Sequence, residues 1–357
     1  VYNELCFYTK DKVEYLGSDE IYFYHLDAKD RNEEAKKLRV LLKLAKKQKT
    51  IVVTSVDAIL RKYIPKNVLL DNIYTYKIGD IIDLEELSQK LVRLGYERVS
   101  KTEGLGQFSI RGGIIDIYSL EYTNPIRIEL FDDEIDSIRT FDVFSQKSIE
   151  KIKKVVITPS REFIYPEDTT SAVEKIQLET NQCTDDDVFN NIENIVQKTY
   201  FQGVENYIDY LYEENNKSIF SYLPDNAIVV MNDISRLKER CENFVNEFND
   251  NFNLNLERGL AIKNQGNLIY SYDELPFLLE NKNLIINSLL PKPVNGFSVT
   301  NIINFDSREV PSYNSKLDVL VEDLNKLRYN GYKVILAVNS TDRCKKLHKD
   351  LFDLGLE

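Results

Sequence analysis

From Gln107 to Phe141, apolar and polar residues alternate with the two-residue period of a β-strand, and turns break the run at three points. Phe108 and Ile110 alternate with Ser109 and Arg111, and Gly112-Gly113 then supplies a turn in which positive φ is tolerated. Ile115 and Ile117 carry the next apolar face. Pro125 opens a third segment in which Ile126, Ile128 and Leu130 point one way and Arg127, Glu129 and Phe131 the other, before Asp132-Asp133 turns the chain into Glu134 to Phe141. The pattern predicts four short strands of a small antiparallel sheet whose outer face carries Arg111, Arg127 and Phe131 to solvent. One apolar anchor beside planar donors that fork onto carboxylates is what a docking patch needs. Exposed arginines and a lone surface aromatic are also common on surfaces that dock nothing.

Helical spacing governs other stretches. Ala35, Leu38, Leu41, Leu42 and Ala45 form one apolar stripe of a helix from about Asn32 to Lys47. Before it, Val1 to Phe7 reads as the end of a helix, with strands at Lys12 to Leu16 and Glu20 to Tyr24; after it comes a short buried strand, Ile51 to Thr54. Ser55 caps a further helix to about Arg61, with Pro65 beyond its end, and the block is a piece of a βαβ array. Asp83 caps another helix, with Glu86 three residues on as in a capping box; Leu84, Leu87, Leu91 and Leu94 face inward and Gly95 ends it. The Asn-rich stretch Asn243 to Asn267 lacks clear periodicity and predicts a loop, with strands at Leu268 to Tyr272 and Leu284 to Ser288 and a break at Pro291 and Pro293. From about Ser312, a helix carrying Leu317, Leu320, Val321, Leu324 and Leu327 precedes Gly331, a strand from Val334 to Val338, and a helix from Thr341.

Composition narrows the function classes. With 43% hydrophobic and 29% charged residues in 357, the chain suits a soluble globular protein of two or three domains, and no apolar run approaches the ~20 residues of a membrane span. A net charge of −12 disfavours the whole chain as a nucleic-acid binder. Cys6, Cys183, Cys241 and Cys344 form no CxxC pair, and His25 and His348 are the only histidines, so no zinc site or disulfide framework is legible. Asp132, Asp133, Glu134 and Asp136 suggest a metal cluster, but a two-Asp turn followed by an alternating strand accounts for them more simply. The chain begins at Val1 and its only methionine is Met231, which reads as a fragment or a processed chain. No GxxxxGK[ST] phosphate loop occurs in it.

The run Gln107 to Arg111 with Gly112-Gly113, followed by Arg127 to Phe131 and on to Asp142, resembles a signature shared by two bacterial DNA-repair families, UvrB and the transcription-repair coupling factors (Mfd). In both it marks a small inserted domain that binds the damage-recognition protein UvrA. The resemblance implies that Arg111, Arg127 and Phe131, with Arg139 a weaker candidate, contact UvrA. The words VYNEL, KVEYL and IVVTSVDAIL, and later Phe201 to Tyr207 and Tyr222 to Asp233, are similar to the flanking module of the same families. The span Gly17 to Asp30 is too short for the aromatic DNA-probing hairpin of UvrB, which favours the coupling-factor family.

The expected fold is therefore α/β: a degenerate helicase-like (RecA-type) domain in two halves, residues 1–72 and 157–311, interrupted by a small α+β UvrA-binding domain at 73–156, with the start of another α/β domain at 312–357. Where a working motor would carry a magnesium-holding acidic pair stand Asn232 and Asp233, so the resemblance implies that this chain is not a nucleotide hydrolase and holds no cofactor or metal. It implies an adaptor that recruits UvrA in transcription-coupled nucleotide excision repair. The parent protein would be a cytoplasmic ATP- and Mg-dependent DNA translocase that displaces stalled RNA polymerase, its own carboxy-terminal region masking the patch. The competing expectations are a UvrB-type helicase subunit acting on damaged DNA, and a structural module without a direct partner.

Overall fold

The computed structural model describes residues 1–10, 12–18, 21–23, 31–180, 183, 186–214, 216–288, 294, 296–305, 312–313, 316–338 and 340–356. They divide into two compact units, Val1–Ser298 and Val299–Glu357.

The first unit opens with α1 (Tyr2–Tyr8), β1 (Val13–Leu16), α2 (Arg31–Ala45) and β2 (Ile51–Thr54). Strands β1 and β2 pair in parallel, Val13 opposite Ile51, which completes the expected βαβ unit. Helix α2 buries more than one stripe: Val40, Leu44 and Lys37 are enclosed along with Leu38, Leu41 and Leu42. There the Nζ of Lys37 pairs with Glu162, whose carboxylate lies 2.8 Å away. Of the strand expected at Glu20 to Tyr24, both ends lie outside the described residues, as do Pro291 and Pro293. Ser55 accepts a hydrogen bond from Ala58 N and caps α3 (Val56–Leu60), and α4 (Lys66–Asp71) follows Pro65.

The inserted domain is entered and left through an antiparallel pair, β3 (Tyr74–Lys77) with β10 (Lys154–Ile157). Between them run α5 (Leu84–Arg93) and a six-stranded sheet of β4 (Glu97–Arg98), β5 (Gln107–Arg111), β6 (Ile114–Ile117), β7 (Ile126–Phe131), β8 (Glu134–Phe141) and β9 (Ser148–Ile152), paired in chain order. All but β4–β5 are antiparallel neighbours. Asp83 accepts hydrogen bonds from the backbone N–H groups of Glu85 and Glu86, and α5 ends at Leu94 before Gly95, whose φ of +85° favours glycine. Leu87, Leu91 and Leu94 pack with Phe108, Ile115, Ile117, Ile126, Ile128, Ile135 and Ile138 in a closed core. It shares no residue with the core of the surrounding domain.

The surrounding domain resumes with α6 (Thr170–Glu179), α7 (Asp186–Val196), the single turn α8 (Ile208–Leu211), β11 (Ile228–Asn232), α9 (Ile234–Glu257), the single turn α10 (Leu275–Leu278) and β12 (Asn283–Asn287). Tyr222 is fully enclosed at its centre, its hydroxyl donating to Ile64 O at 2.6 Å. Strands β11 and β12 pair in parallel around α9. The Asn-rich stretch expected to contain a loop does so only at its end: Asn243 to Asn255 lie within a 24-residue helix, and the chain turns after Glu257. Ile234, Cys241, Phe248, Phe252 and Asn255 share its buried face at spacings of seven, seven, four and three, while Asn243, Asn246, Asn249 and Asn253 are exposed. Asparagine is a poor helix former, and packing of Phe248 and Phe252 against Phe23 overrides that preference. The strand expected at Leu268 to Tyr272 reduces to one isolated bridge, Ile269 to Arg61.

The second unit holds α11 (Leu317–Tyr329) and α12 (Thr341–Asp353), joined through a small cluster of Val321, Leu324 and Leu351 with Val334 against it. Ser340 caps α12 by accepting from Arg343 N. Val334 to Val338 is not a strand. A strand exists only through a hydrogen-bonded neighbour, and among the described residues of this unit none lies beside it.

The cysteines differ sharply in setting. Cys6 and Cys344 are exposed, while Cys241 is sealed within α9's buried face, where burial pushes its thiol up to about 12. A thiol-reagent titration should therefore find Cys6 and Cys344 reacting at once and Cys241 only after denaturant; rapid reaction of Cys241 in the native chain would contradict this packing.

Candidate functional site

The site lies on the outer face of the inserted domain's sheet, and the Gly112-Gly113 turn sets its geometry. Counting outward from that turn, Arg111 pairs with Ile114, Ile110 with Ile115 and Ser109 with Asp116. Register then carries the rows across the sheet. One row runs Ser109, Asp116, Arg127, Arg139, Lys151; the next runs Arg111, Ile114, Glu129, Ser137. Gly112 sits at φ +59°, and a Cβ on Gly113 would lie 3.1 Å from Leu130 O, so this turn is packed against the far end of β7.

Arg127 and Arg139 stand directly opposite each other across β7 and β8, an arrangement that repels unless compensated. Two carboxylates compensate it. Asp116, only 1% exposed, accepts from Arg127 Nε at 2.6 Å and Nη2 at 2.8 Å, and from Arg111 Nη2 at 2.8 Å. Glu129 accepts from Ser137 Oγ and Arg139 Nη1, each at 2.8 Å, and from Arg139 Nη2. Burial opposes charge on Glu129, yet the hydrogen bonds from Ser137 and Arg139 and the nearby guanidinium charge together hold its carboxyl below the usual range. For Arg127 the fork onto Asp116 pushes its affinity for its proton higher still, against desolvation. Three guanidiniums and two carboxylates leave one net positive charge on this ladder.

The residues expected at this site are thus brought together, but in different roles. Phe131 is 79% exposed and Arg111 half-exposed, and Leu130 N donates to Gly113 O, which seats the Phe131 end of β7 beside the turn that follows Arg111. The expectation that Arg127 reaches solvent is corrected. Its side chain is 13% exposed, held by Asp116 and by Gln146 Oε1 at 3.1 Å, with its guanidinium carbon 4.4 Å from the centroid of the buried Phe141 ring. Arg139 is likewise recessed against Glu129. Asp116 and Glu129 were missed in the sequence, although counting out from Gly112-Gly113 places Asp116 on the arginine face. Ile81, 74% exposed and bridged to Glu134, adds apolar surface at the Phe131 end.

Asn232 and Asp233 lie elsewhere, where β11 enters α9. Asn232 Oδ1 accepts from Asn287 Nδ2 at 3.0 Å. Asp233 sits at φ +53°, caps α9 by accepting from Arg236 N, and pairs with the Arg236 side chain at 3.2 Å. Its carboxylate therefore serves the helix terminus. Among the described residues, no group of three or more metal-ligating side chains is assembled, and no helix is long and apolar enough to cross a membrane.

Residues 75–163 match the UvrB interaction domain family. Over 337 residues, 90% of this chain, the sequence is 32% identical to the transcription-repair-coupling factor of Bacillus subtilis (strain 168). It is 26% identical to the proteins of that name from Staphylococcus epidermidis (strain RP62A) and Staphylococcus aureus (strain USA300), over 98% and 97% of the chain. The chain spans 28–32% of the length of these relatives. Both the sheet that carries the arginine ladder and the parallel βαβ units around it fall inside the matched stretches, so the chain is related to the transcription-repair-coupling factors over nine-tenths of its length and carries, at residues 75–163, a UvrB interaction domain.

Proposed function

We propose that this chain is the UvrA-recruiting adaptor module of a transcription-repair coupling factor, docking UvrA through the outer face of the inserted domain. The observation that carries the reading is Phe131, 79% exposed at the end of β7 on the same sheet face as the half-exposed Arg111, within a UvrB interaction domain. An exposed aromatic next to forked donors supplies an anchor and a means of recognising carboxylates. Arg127 and Arg139 stand behind it as the charged floor of the patch. On this reading the parent protein is a cytoplasmic ATP- and Mg-dependent translocase that displaces stalled RNA polymerase from DNA, with its carboxy-terminal region covering the patch until it is needed. Nucleotide hydrolysis belongs to other parts of that parent, a reading supported by Asp233, whose carboxylate is engaged as a helix cap.

Calorimetry of the chain against purified UvrA tests this. Wild type should bind with micromolar or tighter affinity. Phe131→Ala and Arg111→Glu should each weaken binding by about tenfold or more. Phe131 is exposed, so its truncation should not move stability beyond about 0.5 kcal/mol; Arg111→Glu also loses a hydrogen bond to the buried Asp116, so its binding is compared at equal folded fraction, read by circular dichroism. Wild-type affinity in both variants, or no binding by the wild type, would remove the adaptor reading.

A further inference from the structure

The carboxylate of Asp116 lies beneath the arginine face and is 1% exposed. It is too enclosed to meet a partner, yet it receives three hydrogen bonds from two arginines on different strands. That geometry uses up particular donors. Arg127 spends Nε and Nη2, and Arg111 spends Nη2; the remaining Nε and Nη1 of Arg111 and the Nη1 of Arg127 have no partner among the described residues. Gln146 holds the far side of Arg127, and its own amide is tied down by donating from Nε2 to Val143 O at 2.7 Å. The half-exposed Arg111 is therefore turned so that one edge is fixed inward and the rest is offered outward, while Arg127 is held beneath it.

We propose that Asp116 is a positioning residue of the docking face: its buried carboxylate, anchored from behind by Arg127, sets the orientation in which the half-exposed Arg111 presents its free N–H groups to an acidic surface of the partner. The inference rests on the docking reading above and adds to it the residue that pre-organises the patch. Pre-organisation matters because immobilising a long side chain on binding costs conformational entropy, and here that ordering is already done in the free chain.

The sign of one substitution separates this role from simple charge. Asp116→Asn removes a negative charge and makes the face more positive. If the arginines acted only as charge, an acidic partner would bind the variant more tightly. Positioning predicts the opposite, a loss of about tenfold or more in calorimetric affinity for UvrA at equal folded fraction. The loss should shrink when Arg111 is already alanine, because Asp116 acts partly through that side chain; a general structural defect would lower both backgrounds alike. Arg111→Lys provides a second variant on an exposed position that leaves the Asp116–Arg127 pair intact. It keeps the charge without the fork, and it should bind nearly as weakly as Arg111→Ala. Unchanged or tighter binding by Asp116→Asn, or full affinity in Arg111→Lys, overturns the proposal even where Phe131→Ala still weakens binding. If Phe131→Ala and Arg111→Glu also bind as wild type, the docking reading itself has failed.

Discussion

Truncation of Arg127 to alanine should destabilise the inserted domain by about 3 kcal/mol or more. Removing one partner of a buried pair leaves the other uncompensated, and Asp116 at 1% exposure has no water to turn to. Arg111 remains, but its single hydrogen bond replaces only part of the fork. The ring of Phe141, fully buried beneath the guanidinium, also loses its cover. Urea unfolding read by hydrogen exchange on β6 and β7 measures the change, and a shift under about 0.5 kcal/mol would show that the pair contributes nothing to the fold. The same argument bears on how the patch is probed. Arg127→Glu sets a second carboxylate against Asp116 and confounds lost docking with lost folding; Phe131→Ala does not, and at Arg111, which makes one of the three hydrogen bonds to Asp116, the neutral change to alanine is the cleaner probe.

Phe108→Ala should cost about 3–5 kcal/mol, the range for deleting a fully buried aromatic ring. Phe108 is completely enclosed on β5, among the isoleucines of β6, β7 and β8 and the leucines of α5. That cluster and the core around Tyr222 have no residue in common, so the damage should be local. Loss of hydrogen-exchange protection is expected across Tyr74–Ile157, with the amides of α2 and α9 little changed, and UvrA binding should fall with the folded fraction of the inserted domain. Leu41→Ala, in α2, should give the reverse pattern. Uniform loss of protection in both variants would mean that the two cores unfold as one unit. Contacts across their boundary include Arg39 Nε to Leu120 O at 3.1 Å, ion pairs Arg31–Glu97 at 3.1 Å and Arg93–Glu167 at 3.2 Å, and the side chain of Leu120, which is buried in the surrounding core; these are the contacts that would couple the two.

Local pattern was enough for much of this. The period-2 run from Gln107 to Phe141 set strands β5 to β8, because alternation fixes which side chains share a face whatever the partners are. Asp83, Ser55 and Gly95 set helix ends through chemistry confined to a few neighbouring residues. Arg111 and Phe131 were legible as exposed for the same reason, and the family signature was legible because the motif is contiguous.

What depended on distant partners was not legible. The depth of Arg127 is decided by Asp116 on the neighbouring strand and Gln146 in the loop after β8, neither of which its own segment reveals. Helix α9 exists because Phe248 and Phe252 find a core to pack on, against the weak local preference of its asparagines. Val334 to Val338 has the composition of a strand but no neighbour among the described residues to pair with. Sequence alone determined which side chains share a face of the inserted domain's sheet and which family that domain resembles. Only the tertiary structure decided which of those arginines are free to act and which are spent on holding the others, because hydrogen-bond partners across a sheet are set by register between strands and not by neighbours along the chain.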